Sequence, residues 1–182
     1  MPNSISSFTN NFKGGFRKNR FLIEGKFPGD TGTDFNEKLK FHVLAADMPG
    51  AQLGVVNFPY RGRLIPYVGD REYAPWIFQV LDDRSSGLYK KFHDWSESIN
   101  NHETNEHGSS SPIDDTFSEQ LLIDKWSISQ LDLDGTVTKK ITIQQCWPSY
   151  VSEIQFNMAD TGFNAFAVKL RYNYIKIDGI NT

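Results

Sequence analysis

The sequence is poor in the residues that several common protein classes require. Cys146 is its only cysteine, which excludes an intramolecular disulfide and any zinc or iron–sulfur site built from several cysteines. No apolar run approaches the roughly 18 residues of a membrane-spanning helix, and residues 1–20 lack the apolar stretch of a signal peptide. We therefore expect a chain that is made in the cytosol, has no membrane anchor and is held together by burial and backbone pairing.

The chain also has no large excess of charge of one sign. It carries 19 basic and 22 acidic residues, for a net charge of −3, so bulk charge does not predict a nucleic-acid partner. Aromatic residues make up 14% of the chain, which is ample material for a core. A length of 182 residues suits one domain with extensions, and we expect an N-terminal arm at 1–19 and a single domain at 20–182.

The N-terminal third combines turn-forming residues with alternating apolar positions. In the arm, Phe8, Phe12 and Phe16 are four residues apart, but the asparagines and glycines between them argue against a stable helix. Residues 20–27 and 39–45 alternate between apolar and polar side chains, and turn-forming residues lie between them at Pro28–Glu37. These two segments predict a first hairpin.

The middle of the chain predicts a projection, a buried strand and a helix. The segment Ala51–Val68 contains two prolines, which exclude a central strand and favour a protruding hairpin or edge. Gly69-Asp70-Arg71 predicts a turn that leads into a buried strand at Trp76–Leu81. A helix is predicted between Ser85 and Asn101, capped by Ser85 or Ser86. Four residues form its apolar stripe and should anchor the helix to the core: Leu88, Phe92, Trp95 and Ile99.

The last third predicts strands after a polar insertion. Residues 100–118 contain almost nothing apolar, which favours a surface excursion. Strands are then predicted at Ile123–Leu131 and Thr136–Trp147, joined through Asp134-Gly135, and at Ile154–Met158 and Ala165–Ile177. The pattern as a whole predicts a mainly β fold with antiparallel sheets and one flanking α-helix.

Several residues that resemble metal-binding or catalytic sites are better explained by roles in turns and packing. The Asp132-x-Asp134-Gly135 sequence resembles part of a calcium loop, but Ile141 occupies the position of the bidentate glutamate, so a hairpin turn is the better interpretation. His102 and His107 lie in a polar stretch that would not preorganise metal ligands. Cys146, beside Trp147 in an alternating strand, is expected to be a packed residue. We predict no metal, no cofactor and no catalytic residue.

Tryptophans and arginines leave two binding hypotheses open. A glycan-binding β-sandwich could use tryptophans to stack sugars, but each lies in a patterned apolar strand or in the helix stripe, which favours core packing. Arg61 and Arg63 suit either phosphate contacts or a protein interface. The four tryptophans are Trp76, Trp95, Trp126 and Trp147.

The order of several short segments resembles the tail tube proteins of contractile-tailed bacteriophages, which are related to type VI secretion tube proteins. The resemblance extends over roughly residues 20–177. Its most specific parts are the Gly69-Asp70-Arg71 sequence before a tryptophan-containing strand, the Phe92-x-x-Trp95 stripe and Trp147-Pro148. The remaining matching segments are RFLIEGKF at 20–27, Met48-Pro49-Gly50, KKFHDWSESI at 90–99 and ITIQQCWPSYVSEIQFNMAD at 141–160.

The resemblance implies a structural, non-enzymatic protein of the virion tail. It implies two packed β-sheets forming a small barrel or sandwich, six copies in a ring, and rings stacked into a tube inside a contractile sheath. The implied partners are further copies of the chain, the sheath protein, baseplate and terminator proteins, and double-stranded DNA that passes without specific binding. Alternatives are a baseplate-proximal tube initiator, a tube terminator or, in another class, a glycan-binding module.

Two surfaces follow from this implied assembly. The apolar side chains of Ala51–Val68 are expected to contact the next ring, namely Leu53, Val55, Val56, Phe58, Tyr60, Ile65 and Tyr67. The channel should be lined by the polar face of one strand, either Thr138, Lys140, Thr142 and Gln144 or Lys169, Arg171 and Asn173. Because both faces carry basic residues, acidic neighbours such as Asp124, Asp132 or Asp134 are expected to compensate them.

Overall fold

The computed structural model describes residues 5–11, 14–28, 34–84, 87–104 and 126–179. These residues form three helices and ten strands. In chain order the elements are α1 (Ile5–Asn11), β1 (Phe21–Glu24), α2 (Asp34–His42), β2 (Val43–Ala46), β3 (Gln52–Tyr60), β4 (Arg63–Glu72), β5 (Trp76–Leu81), α3 (Leu88–Ile99), β6 (Trp126–Leu131), β7 (Val137–Gln144), β8 (Trp147–Val151), β9 (Ala165–Arg171) and β10 (Tyr174–Asp178).

Two four-stranded antiparallel sheets form the body of the protein. Sheet 1 has the order β1-β6-β7-β10, and sheet 2 has the order β2-β5-β9-β8. Strands β3 and β4 form a separate two-stranded sheet, the projecting hairpin. The predicted mainly β fold is confirmed, and it takes the sandwich form, because neither sheet closes on itself within the described residues.

Strict alternation directs one face of each sheet into a shared core. In β5, Trp76, Phe78 and Val80 are buried whereas Ile77 and Gln79 are exposed. The segment predicted as a buried strand is therefore a strand with one buried face. Its neighbour β9 contributes the residues paired with these, and sheet 1 contributes the isoleucines of the opposite wall. These core residues are Phe166, Val168, Leu170, Ile23, Ile128, Ile141 and Ile143.

The indole of Trp126 lies at the centre of an aromatic cluster that joins both sheets and α3. It stacks on Trp95 with ring centroids 5.8 Å apart and meets the edge of Phe27 at 5.5 Å. Phe78 of sheet 2 and Phe92 of α3 lie 5.8 and 5.7 Å away. Its indole nitrogen donates to the Lys26 carbonyl oxygen at 2.9 Å, so the one polar atom of this buried ring is satisfied.

The backbone after β1 passes directly beneath this ring. A Cβ atom added at Gly25 would lie 2.5 Å from Trp126 Cδ2, closer than carbon atoms can approach. The Gly25 amide donates to Asn36 Oδ1 at 3.1 Å, which ties the same residue to α2. Glycine is therefore required at this position by close packing.

Helix α3 matches the predicted apolar stripe but not the predicted cap. Leu88, Phe92 and Trp95 are buried and Ile99 is partly buried against the core, as expected for an amphipathic helix. Its N-cap is Gly87, with φ 61° and no side-chain capping bond. Ser85 and Ser86, the predicted caps, lie outside the described residues.

The predicted first hairpin is wrong, because residues 34–42 form α2. Phe35, Leu39 and Val43 are four residues apart, so Leu39 is fully buried on one helical face. Phe41, which strand alternation placed with Leu39, is 82% exposed. Strand β1 pairs with β6, and β2 pairs with β5.

Two other local predictions in the first half also fail. Residues Ile5–Asn11 are helical, although the arm was expected to avoid helix; its glycines follow the helical segment, so they do not interrupt it. Phe8 and Phe16 are exposed, and Phe12 lies outside the described residues. Gly69-Asp70-Arg71 lies within β4 and is not a turn.

The last third contains more chain reversals than alternation indicated. The Asp134-Gly135 hairpin between β6 and β7 is confirmed, but the second strand ends at Gln144, because Gln145 adopts a positive φ of 53°. No strand forms at 154–158, where Phe156 and Met158 are exposed. The single strand predicted at 165–177 is divided: β9 belongs to sheet 2, and after Tyr172 and Asn173 the chain enters sheet 1 as β10. Most of the polar insertion at 100–118, from residue 105 onward, lies outside the described residues.

Gly25→Ala tests the packing of Trp126 against the backbone. Because the added methyl group overlaps the indole, we expect the free energy of unfolding to fall by roughly 1–3 kcal/mol. Gly50→Ala is the matched control, since a Cβ there meets no atom within 4 Å, and its effect should stay within about 0.5 kcal/mol. Chemical denaturation measures both; equal stability of the two variants would contradict the packing argument.

Candidate assembly surface

The projecting hairpin is a regular two-stranded ribbon with a tight turn. Strand β3 pairs with β4 from Tyr60↔Arg63 at the turn to Gln52↔Glu72 at the base. Arg61 and Gly62 form the turn, and both have positive φ, 46° and 82°, as in the two-residue turns that suit right-handed strand twist. The protrusion predicted for residues 51–68 is confirmed, and it continues to Glu72.

Both faces of this ribbon expose apolar side chains. Residues paired across an antiparallel ladder point to the same face, so the register assigns each side chain to one of two sets. One face carries Val56, Phe58, Tyr60, Ile65 and Tyr67, and the other carries Leu53, Val55, Pro59, Leu64, Pro66 and Val68. Phe58 is 56% exposed on the first face and Val68 is 80% exposed on the second, more apolar surface than a solvated hairpin needs.

The residues predicted to contact the next ring are therefore divided between the two faces. Leu53 and Val55 lie on one face, whereas Phe58, Tyr60, Ile65 and Tyr67 lie on the other. Leu64 and Val68, which are also exposed on the face of Leu53 and Val55, were not among the predicted residues. Locating the Arg61-Gly62 turn in the sequence would have revealed both, because it sets the alternation of the second strand.

Two glycines let the ribbon change register near its base. The pairing shifts between Leu53 and Val55, where Gly54 faces Gly69. A Cβ at Gly69 would lie 2.9 Å from the Gly54 carbonyl carbon, so the backbones touch. This bulge explains why the Gly69-Asp70-Arg71 sequence, which resembles a turn, lies inside a strand.

The outward face of sheet 1 is polar, and the charge of its Lys140 is paired with a carboxylate. It includes the candidate channel residues Thr138, Lys140, Thr142 and Gln144, of which Gln144 is buried. Lys140 Nζ lies 3.2 Å from Glu24 Oε2, and Lys40 Nζ lies 3.4 Å from Glu24 Oε1. Partial burial opposes ionisation of Glu24, but the hydrogen bond and charge of Lys140, together with Lys40, hold its pKa below the usual value.

The expected acidic compensation thus comes from a different residue. Glu24 pairs with Lys140, whereas Asp134 Oδ1 accepts hydrogen bonds from the backbone amide and hydroxyl of Thr136 in its own turn. The Asp132 carbonyl oxygen accepts from Arg20. Asp124 lies outside the described residues. Glu24 was missed because it belongs to another strand, more than a hundred residues away in sequence.

The alternative channel face, on sheet 2, is less polar. Lys169 Nζ lies over the Tyr150 ring at 4.8 Å, and Arg171 is opposite the half-buried Trp147. Ile77 and Leu44 are exposed on the same sheet. Asn173, the third residue of the predicted set, lies beyond the end of β9, so the set does not form one strand face.

A second exposed apolar feature lies in the loop between β8 and β9. Phe156, Met158 and Phe163 are exposed here. Eleven residues between Ser152 and Ala165, these three among them, line a cavity of about 720 Å³ that we call the loop groove. Glu153 and Asp160 are the acidic residues of its lining. The sequence predicted a strand here, which the structure does not form.

The loop groove and the projecting hairpin are attached at opposite ends of sheet 2. The hairpin leads into β5 at Trp76, and the loop leads into β9 at Ala165, which pairs with Leu81 at the other end of β5. Six residues of strand separate these ends by roughly 17 Å. These two exposed apolar surfaces thus lie at opposite ends of sheet 2.

The remaining sequence candidates do not assemble into a chemical site. Cys146 is fully buried, as expected of a packed residue. His102 Nδ1 lies 2.6 Å from Glu97 Oε1, and His107 lies outside the described residues. Three of the four tryptophans are inside the core, leaving Trp147 half-buried, so the tryptophans provide no stacking platform for a sugar.

The described ranges contain neither a cluster of metal-ligating side chains nor a membrane-spanning helix. Residues 5–11, 14–28, 34–84, 87–104 and 126–179 contain no group of three or more His, Cys, Asp or Glu side chains that could hold a metal ion. In the same ranges no helix has the length and apolar character needed to cross a membrane.

Together the sandwich, its exposed hairpin and its loop groove define a structural protein built to associate with other protein chains. A model of the family described as phage tail tube protein matches residues 7–177. The chain belongs to this family, and the resemblance predicted from the sequence is confirmed.

Individual relatives agree with this assignment. The chain is 27% identical to the tail tube protein of Serratia phage KSP90 over 158 residues, which cover 86% of this chain and 85% of the relative. It is 26% identical to tail tube protein gp19 of Enterobacteria phage T4 over 159 residues, which cover 87% and 89%. These similarities run through nearly the whole length of both relatives.

Among solved structures, the fold is similar to a chain of the PVC sheath–tube complex of an extracellular contractile injection system. The TM-score is 0.63 at 12% identity, covering 98% of this chain and 100% of that one. A chain of the sheath/tube terminator of the same kind of system gives a TM-score of 0.65, also at 12% identity, covering 92% and 99%. At this identity the likeness concerns the fold.

Shortening the projecting hairpin should separate folding from association. Deleting Phe58–Ile65 and closing the ribbon with a two-residue turn removes exposed apolar surface but no core residue, so the free energy of unfolding should change by less than about 1 kcal/mol. Self-association measured by sedimentation velocity should fall. A variant that associates as strongly as the parent would show that the hairpin is not an assembly surface.

Proposed function

We propose that the chain is the repeating subunit of a contractile-phage tail tube. Six copies form a ring, rings stack head to tail inside a sheath, and the tube meets baseplate proteins at one end and a terminator at the other. Family membership supports this proposal, as does the fold shared with a chain of a sheath–tube complex and a chain of a sheath/tube terminator structure. In it the protein is a conduit for double-stranded DNA and catalyses no reaction.

The observation that best supports ring formation is the contrast between the edge strands of the two sheets. An edge strand presents unpaired backbone groups, which proteins commonly obstruct with proline or a bulge where pairing is unwanted. In sheet 2, β8 contains Pro148 and a register shift, and β2 also contains a shift. In sheet 1, β1 and β10 contain neither proline nor a shift. Sheet 1 is thus the sheet suited to continue into neighbouring copies, with β10 of one beside β1 of the next.

Pairing of these edges would place the polar face of sheet 1 around the channel. Leu22, Lys140 and Asp178 belong to one row of directly opposed residues across the sheet, through Ser129. Thr142 lies between the charged residues of this face, and Ser127 and Ser129 beside it are buried. Glu24 pairs with Lys140, and Asp178 is the residue opposite Lys140 in β10. These two carboxylates reduce the positive charge that this face would offer to DNA.

The repeating subunit is favoured over a terminator by the position of the exposed surfaces. A subunit within a stack must contact a copy on each side, and this chain exposes apolar surface at both ends of sheet 2. A capping protein needs such contacts at one end only.

Cross-linking through introduced cysteines tests the ring. In a chain carrying both Leu22→Cys and Lys176→Cys, a short thiol cross-linker should produce a ladder ending at six copies, because both positions lie on one face at opposite edges of sheet 1. Leu22→Cys with Lys90→Cys on α3 is the control and should give no ladder. Rings in electron micrographs without the ladder would show that other edges join the subunits.

Removing the charge of Glu24 tests whether the outward face of sheet 1 lines the channel. Tubes of the unchanged protein should not retain duplex DNA at physiological salt, whereas Glu24→Gln adds one uncompensated positive charge per subunit and should produce retention that high salt abolishes. Asp94→Asn removes an equivalent charge from α3 and should have no effect. Binding is measured by co-sedimentation with tube ends open or blocked, so that binding to the outer wall is subtracted. Equal retention by Glu24→Gln and Asp94→Asn would exclude this face from the channel.

A further inference from the structure

We propose that the tip of the projecting hairpin of one copy docks into the loop groove of a second copy, where Arg61 and Arg63 meet Glu153 and Asp160. The inference rests on the proposed function, because it names the two surfaces through which one ring contacts the next. It commits to a second copy of this chain as the occupant of the groove.

The position of the two surfaces requires a contact between copies. The hairpin begins and ends near the Trp76 end of β5, and the groove lies at the Leu81 end. No residue lining the groove belongs to the hairpin, so the tip does not fill the groove of its own chain. A contact between different surfaces at opposite ends is head to tail, and it repeats along one axis.

The charges of the two surfaces are complementary. Arg61 and Arg63 flank Gly62 at the tip, where Arg61 lies 5.4 Å from the Tyr60 ring centroid. Glu153 Oε2 accepts from the Tyr150 hydroxyl at 3.2 Å, and Asp160 Oδ1 accepts from the Gly162 amide at 2.8 Å. Each carboxylate thus uses one oxygen within its own loop, and the other oxygen can accept from an arginine.

The apolar parts of the two surfaces also match. Phe156 and Phe163 are 80% and 89% exposed in the groove, and Tyr60 and Leu64 flank the tip. A cavity of about 720 Å³ can hold several side chains. Burial of these aromatic and aliphatic groups supplies the favourable free energy of the contact, and the charged pairs fix its orientation.

Charge reversal tests the contact. Arg61→Glu with Arg63→Glu, and separately Glu153→Lys with Asp160→Lys, should each give rings that no longer stack into tubes in negative-stain micrographs. A chain carrying all four changes restores opposite charges across the contact and should recover stacking. Arg17→Glu with Lys18→Glu, which reverses two exposed charges outside both surfaces, is the control and should leave tubes intact.

The outcomes separate this inference from the proposed function. If rings form and either reversal variant still stacks to the length of the unchanged protein, the groove contact is wrong and the ring stands. If four-site chains stack no better than the two-site variants, charge pairing at this contact is excluded. If the unchanged protein forms neither rings nor tubes, the proposed function fails.

A second measurement decides the groove contact even if reversal prevents folding or rings are absent. Chains carrying Arg61→Cys are mixed in concentrated solution with chains carrying Met158→Cys and oxidised. A disulfide-linked dimer of the two variants is expected, since the tip and the groove come together, whereas Arg61→Cys mixed with Lys90→Cys should give none. Absence of the first dimer, or equal yield of both, would overturn the proposal.

Discussion

The contact between the Trp126 indole and the backbone at Gly25 sets the geometry of the whole sandwich. It joins β1 to β6 within sheet 1, and the same indole packs on Phe78 of sheet 2 and on Phe92 and Trp95 of α3. Since interiors are packed as densely as crystals, a ring that touches all three layers allows little movement of any one.

A rigid body of this kind allows the outer surfaces to serve assembly. The core between the sheets is filled by aromatic and aliphatic side chains, so much of the two outward faces is left for other roles. Sheet 1 can therefore present small polar residues with the Glu24–Lys140 pair, and the hairpin can present apolar residues on both faces. These apolar residues would be a liability in an isolated chain and are an advantage in one that is covered by its neighbours.

Sequence periodicity located the elements whose burial depends on one clear pattern. The stripe of α3 was predicted because its period of 3.6 is unambiguous. The strand Trp76–Leu81 was predicted from its dense apolar run, although its burial in the structure alternates. Periodicity failed to predict α2, because Leu39 and Val43 fit both a strand and a helix until Phe35 is included. It also failed after Leu170, since alternation continues while the chain crosses between sheets at Tyr172. The partner of Lys140 was out of reach for a different reason: strand order, which brings β1 beside β6, is not encoded in local alternation.

The two kinds of proposed contact have different consequences for the size of the assembly. Edge pairing of β10 with β1 turns each copy by a fixed angle and closes when the ring is complete, so it limits itself. The contact of a hairpin tip with a loop groove joins unlike surfaces at opposite ends, and such a contact leaves one unused surface at each end of any stack. This head-to-tail contact does not by itself limit the number of rings in a stack. In an assembly built from these two proposed contacts, the length of a stack would be set by a component other than this chain. Its two ends would be closed by partners of different chemistry: one that provides an acidic apolar groove and one that provides a basic apolar tip.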